Sequence, residues 1–109
     1  MPMSEFFILV GEKPVRVDDV LDWARWLEAA DNEGRRVALA EFDGVMVSTV
    51  FLGINHRFLS DGPPLIFETM VFGGAPEDRV QRRYSTWEEA ERGHEEIVKL
   101  IKCSLTAGC

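Results

Sequence analysis

Cysteine is scarce in this sequence, and its placement argues against a disulfide framework. The 109 residues contain two cysteines, Cys103 and Cys109, both in the closing segment CSLTAGC. Their spacing matches neither a thioredoxin-type pair nor a zinc site with nearby ligands. We therefore expect a reduced, flexible tail over residues 104–109, a single domain over residues 1–103, and no metal or other cofactor.

Long apolar runs are absent as well. The strongest run, residues 65–72, is interrupted by Glu68 and is far shorter than the roughly 20 residues of a transmembrane helix. The N-terminal residues lack the basic start and the small-residue cleavage site of a secretory signal. We expect no membrane contact and a cytoplasmic location, which is the host cytoplasm for a phage-encoded protein.

Basic residues are fewer than acidic ones. Twelve basic residues against 19 acidic ones give a formal net charge of −7, which repels a polyanion. This charge argues against nonspecific binding to long nucleic acids, whereas a local basic patch remains compatible with a small anionic ligand.

Residues 45–74 hold most of the β-branched and aromatic side chains and organise the predicted sheet. Asp43-Gly44 is a strong hairpin signal because both residues tolerate positive φ; it places Phe42 opposite Val45 and Ala40 opposite Val47. The remaining apolar runs complete a set of five predicted strands, over residues 5–10, 37–42, 45–52, 65–72 and 80–84.

Two helices are predicted from capping residues and apolar spacing. Asp18 is the expected N-cap of the first helix, whose apolar stripe ends before Asp31. The second begins with a capping box, Ser85 with Glu88 or Thr86 with Glu89. Its predicted inner face comprises Trp87, Ala90, His94, Ile97, Val98 and Ile101.

The element order β-α-β-β-β-β-α predicts an α+β fold: an antiparallel sheet of about five strands with both helices on one face. The strands at 37–42 and 45–52 are apolar on both faces, including Val37, Leu39, Met46, Val50 and Leu52 on the face opposite Phe42. A sheet with one solvated face would alternate more cleanly. We therefore expect the second face to be covered by another copy in a homo-oligomer.

Several polar side chains lie within this apolar pattern and are candidate ligand contacts. His94 is either a buried neutral histidine with a hydrogen-bond partner or a ligand contact or general base. Glu68 either forms an ion pair with Arg82 or Arg83, or is buried and accepts a proton or a hydrogen bond from a ligand. The candidate binding set is Ser48, Thr49, His56, Glu68, Thr69, Arg82, Arg83, Tyr84 and His94.

The segment RVQRRY joins basic side chains to the single tyrosine of the chain. It is either an edge strand protected by charge or a site where Arg82 and Arg83 bind phosphate and Tyr84 stacks on a base. The second interpretation favours a small nucleotide as ligand.

No catalytic motif is present. Ser48 lies within a strand and not in a G-x-S-x-G turn, and His56, Glu68 and His94 lack a metal-ligand spacing. A small hydrolase using these last three residues remains an alternative to a binding protein.

The strings VSTVFLGINHRF, PPLIFETMVFGG and RYSTWEEAERGH resemble a family of small proteins encoded by phages, prophages and bacterial genomes. The resemblance extends over almost the whole chain, including WARWLEAAD, and implies a context and not a reaction: an accessory factor acting on host machinery or metabolites. We therefore expect a counter-defence factor that sequesters a small anionic ligand, such as a signalling nucleotide, or blocks a host protein. A purely structural homo-oligomer component is the further alternative.

Overall fold

The computed structural model describes residues 5–57, 62–74 and 80–105, apart from the side chains at positions 32, 104 and 105. The elements in chain order are β1 (Phe6–Val10), β2 (Lys13–Val17), α1 (Val20–Gly34), β3 (Arg36–Phe42), β4 (Val45–Phe51), β5 (Phe67–Gly73), β6 (Gln81–Tyr84) and α2 (Trp87–Leu105).

The strands form two antiparallel sheets, a β1-β2 hairpin and a four-stranded sheet of order β3-β4-β5-β6. The α+β class is confirmed, but the first strand does not join a single five-stranded sheet. Gly11, with φ at +65°, turns the chain so that β2 pairs with β1 along its whole length. Beyond that pairing, an isolated bridge from Phe6 to Ile54 ties the hairpin to the segment after β4.

The Asp43-Gly44 turn is confirmed. Both residues have positive φ, and Phe42 pairs with Val45 as predicted. The register then shifts between Arg36 and Ala38, so Val37 packs against the core cluster. The prediction that Val37 lies on the second face is therefore wrong, because the bulge removes it from the two-residue alternation.

The helices are divided between the two sheets, which differs from the predicted arrangement on one face. Helix α2 packs across β3, β4, β5 and β6, whereas α1 packs mainly on β1 and β2. Aromatic residues of α1 decide its place: Trp23 donates from Nε1 to the Gly53 carbonyl at 3.0 Å, and Trp26 contacts the Phe51 ring edge-on. Asp19, and not Asp18, caps the helix by accepting from the Leu21 N–H.

Helix α2 begins with the predicted capping box, in the version that uses Thr86. The Thr86 N–H donates to Glu89 Oε1 and the Glu89 N–H donates to Thr86 Oγ1, each at 3.1 Å. The helix continues to Leu105, two residues into the predicted tail. Cys103 is in a disulfide, so the expected reduced thiol is wrong there; Cys109 lies outside the described residues.

One face of the four-stranded sheet is buried under α2. We call the other, which carries Leu39 and Phe72, the open face. Strand alternation and register place apolar side chains at its centre, namely Leu39, Met46, Val50, Met70 and Phe72. Leu39 and Phe72 are 37% and 45% exposed, so the sequence prediction of an apolar second face holds for these residues.

Candidate functional site

A row of hydrogen-bonded polar side chains crosses the sheet beneath α2. Thr49 of β4 and Thr69 of β5 face each other in the register, with their Oγ1 atoms 2.5 Å apart. Tyr84 of β6 donates its hydroxyl to Thr69 at 3.0 Å. At the other end, Thr49 Oγ1 lies 2.8 Å from Nδ1 of His94. Four of the predicted site residues therefore form one network, and all four are buried.

The network has one direction in which both threonine hydroxyls donate one hydrogen bond and accept another. Tyr84 donates to Thr69, Thr69 to Thr49, and Thr49 to Nδ1 of His94. Nδ1 is then the unprotonated nitrogen, and Nε2 carries the ring proton. The geometry therefore fits the first alternative for His94, a buried neutral histidine, and its hydrogen-bond partner is the hydroxyl of Thr49.

Burial shifts the pKa values of His94 and Tyr84, the two ends of the network, in the directions that keep both side chains uncharged. Desolvation lowers the pKa of His94 below its ordinary value, and the neighbouring Glu95 carboxylate opposes this in part. Desolvation likewise raises the pKa of Tyr84, against the opposing effects of its hydrogen bond to Thr69 and of the charge of Arg82. The row is therefore a neutral, saturated hydrogen-bond chain near neutral pH.

Glu68 lies on the opposite side of the sheet, because it precedes Thr69 in β5 and successive side chains alternate. Its Oε2 accepts from Nε of Arg83 at 2.9 Å and from the Gln81 side chain at 2.7 Å. The ion-pair interpretation of Glu68 is confirmed for Arg83. Arg82 points to the α2 side and pairs with Glu96 at 2.9 Å. Both arginines proposed for phosphate binding already have carboxylate partners.

The structure does not bring the hydrolase candidates together. His94 and Glu68 lie on opposite faces of the sheet, and neither of them bonds to His56. His56 follows β4, and its backbone N–H donates to the backbone carbonyl of Leu65. Ser48 lies on the open face, opposite Leu39 and Met70 in the register.

The concave regions along these elements include a groove and a smaller cleft. A groove of about 500 Å³ lies between the β1-β2 hairpin and the start of α2, and no predicted site residue lines it. A smaller cleft of about 320 Å³ runs between β3 and α2 and contains His94; its lining is Ala40, His94, Glu95, Val98, Lys99 and Lys102. The sequence analysis missed Lys99 and Lys102, although their spacing from Glu95, four and seven residues on, is that of one helix face.

The described residues contain no group of three or more histidine, cysteine, aspartate and glutamate side chains placed to hold a metal ion. In the same part of the chain, no helix is long and apolar enough to cross a membrane. Searches against protein-family models, curated proteins and solved structures found no match to this chain.

Proposed function

We propose that this protein is a non-catalytic accessory binding protein of the phage type, and that it works as a homodimer joined through the open face. The observation that carries the proposal is the composition of this face. The apolar residues of this face include Met46 and Met70 and surround one polar residue, Ser48. Arg36, Glu41 and Arg83 lie on the edge strands β3 and β6, and the charge of Glu68 is paired with Arg83, an arrangement typical of a protein interface.

The open face is complementary to itself. Arg36, Leu39 and Glu41 of β3 all point to it, with the apolar residue between two opposite charges. Two sheets packed face to face, about a two-fold axis that crosses the strands, place β3 antiparallel over β3 of the second copy. Arg36 then lies over Glu41 of the partner subunit, twice by symmetry, while Leu39 lies near the axis.

The area of the open face sets the expected affinity of the dimer. Three strands of seven residues and one of four, about 4.8 Å apart, cover roughly 400 Å² in projection, at the low end for specific interfaces. We therefore expect a reversible dimer in the micromolar range.

The polar residues also support binding without catalysis. In the network from Tyr84 to His94, both threonine hydroxyls and Nδ1 of His94 have partners, and Glu68 is held by Arg83 and Gln81. None of these side chains presents an activated nucleophile or base beside a second catalytic group.

Sedimentation analysis over a micromolar concentration series tests the proposal. The mass should rise from that of the 12.4 kDa chain to twice that value with increasing concentration. Leu39→Glu should leave only monomer, because it buries an unpaired charge near the two-fold axis, beside the same charge of the partner subunit. Leu100→Glu is the matched control: Leu100 is an exposed apolar residue, 58% accessible, on α2, and its variant should dimerise normally.

A charge exchange tests the geometry separately. Arg36→Glu should weaken the dimer, and adding Glu41→Arg to it should restore association, because the rim pair is reversed and not removed. A protein that stays monomeric at the highest concentration, or that dimerises equally well with Leu39→Glu, would contradict the proposal.

A further inference from the structure

His94 has one ring nitrogen that the fold does not use. The residue is 7% exposed, and its Nδ1 is bonded to Thr49. Nε2 has no hydrogen-bond partner among the described residues, yet none of their buried side-chain nitrogens or oxygens is both unpaired and sealed from solvent. Nε2 is therefore accessible, and His94 lines the cleft between β3 and α2.

The network fixes what Nε2 offers to a ligand. Because Thr49 donates to Nδ1, the ring proton is on Nε2, which is a hydrogen-bond donor aligned by a chain reaching back to Tyr84. A donor held in one orientation by buried partners needs no reordering when a ligand acceptor arrives.

The charges and walls of the cleft indicate which acceptor fits. Lys99 and Lys102 outnumber the single acidic residue of the lining, Glu95. Lys102 is positioned with Nζ 5.2 Å from the centre of the Phe42 ring. Ala40 and Val98 supply apolar surface, and the volume of about 320 Å³ is at the small end of ligand pockets.

We propose that this cleft binds a small organic carboxylate with a short apolar chain. One carboxylate oxygen accepts from Nε2–H of His94, the lysines provide favourable charge, and the chain lies on Ala40 and Val98. The cleft is on the α2 side of the sheet, so it stays open when two copies associate through the open face. The inference is therefore independent of the proposed dimer.

Nuclear magnetic resonance of the full chain with ¹⁵N-labelled histidine tests the site, because the chain has only two imidazoles, His56 and His94. Sodium butyrate is the probe, butyramide is its uncharged counterpart of the same shape, and ionic strength is held constant with sodium chloride. Butyrate should give a saturable change in the Nε2 shift of His94 in the millimolar range. Butyramide should bind at least about tenfold more weakly, since hydrogen bonds to charged groups are the stronger ones.

Three variants separate the site from general effects. His94→Asn keeps an oxygen that can accept from Thr49 but removes Nε2, so saturable butyrate binding, followed by amide shifts, should be lost. Lys99→Gln should weaken binding about two- to fivefold, the range for a solvent-exposed charge interaction. Arg92→Gln removes an exposed positive charge from α2 outside the cleft and should leave binding unchanged.

The inference is overturned by any of three results: no saturable change at His94, equal binding of butyrate and butyramide, or equal losses with Lys99→Gln and Arg92→Gln. The Lys99 variant keeps the test decisive if His94→Asn lowers the melting temperature strongly, because an exposed lysine on a helix is not needed for folding.

Discussion

Gly93 of α2 packs directly against the ring of Tyr84, so closely that a Cβ atom at position 93 would overlap the tyrosine ring and hydroxyl. Tyr84 is thereby held with its hydroxyl on Thr69, at the start of the polar row. A glycine inside a helix ordinarily costs about 1 kcal/mol relative to alanine. Here the close approach of the helix to β6 requires it.

Gly93→Ala should therefore destabilise the protein, although alanine is the better helix former. Overpacking of this kind costs about 1–3 kcal/mol, and it should exceed the propensity gain. The free energy of unfolding from urea titration measures the effect. In a Tyr84→Leu background, which removes the phenol ring, the same glycine substitution should cost much less; an equal cost in both backgrounds would show that the ring contact is not responsible.

Thr49→Val should destabilise the fold by about 1–3 kcal/mol, because it leaves Nδ1 of His94 without its donor. Valine preserves the shape, so the loss reports the hydroxyl. Thr49→Ser keeps the hydroxyl and removes one buried methyl, for a cost of about 1 kcal/mol. Urea unfolding at neutral pH measures both variants. A valine variant as stable as the wild type would mean that the row contributes nothing to stability.

Arg82 and Arg83 are adjacent in sequence but should respond differently to substitution. Arg83→Leu leaves the buried Glu68 carboxylate with Gln81 alone and should cost about 1–2 kcal/mol, since Arg83 itself is partly exposed. Arg82→Leu removes an exposed pair with Glu96 and should change stability by less than about 0.5 kcal/mol. Thermal unfolding of the two variants side by side distinguishes them, and equal effects would contradict the assignment of Glu68 to Arg83.

The lowered pKa of His94 should make stability depend on pH. As pH falls through the ordinary histidine value of 6.5, the unfolded chain takes up the proton first, so this contribution is present above that value and is lost below it. For one proton the slope is at most about 1.4 kcal/mol per pH unit.

The comparison that isolates this effect is between the wild type and His94→Asn, because His56 and the carboxylates are common to both. Urea midpoints between about pH 7.5 and about pH 5.5 should fall more steeply for the wild type. Parallel pH profiles of the two proteins would show that His94 does not resist protonation in the folded state.

Much of the local structure could be predicted because the signals act over a few residues. Asp43-Gly44 has the φ requirements of a tight hairpin, and the register of β3 with β4 follows from it as far as Ala38. The bulge at Val37 was missed, since no turn or proline marks it. Thr86 and Glu89 specify the start of α2 through two reciprocal hydrogen bonds, and the three- and four-residue spacing placed His94 on the inner face.

The assignment of α1 to the β1-β2 hairpin could not be predicted in this way. An amphipathic helix shows which of its faces is buried but not against which surface. Trp23 and Trp26 find their partners at Gly53 and Phe51, far along the chain.

The sequence by itself determined both helices, five of the six strands, the apolar character of both sheet faces and the identity of the polar residues within them; the pairing strand β2 was not predicted. The tertiary structure alone decided that Thr49 lies opposite Thr69, that Tyr84 and His94 end the same hydrogen-bonded row, and that Glu68 is on the other side with Arg83. The reason is physical: turn chemistry and side-chain alternation fix neighbours over a few residues. The segment between β4 and β5 carries no two-residue turn signal that would fix a register from the sequence, so their pairing was decided by the tertiary structure.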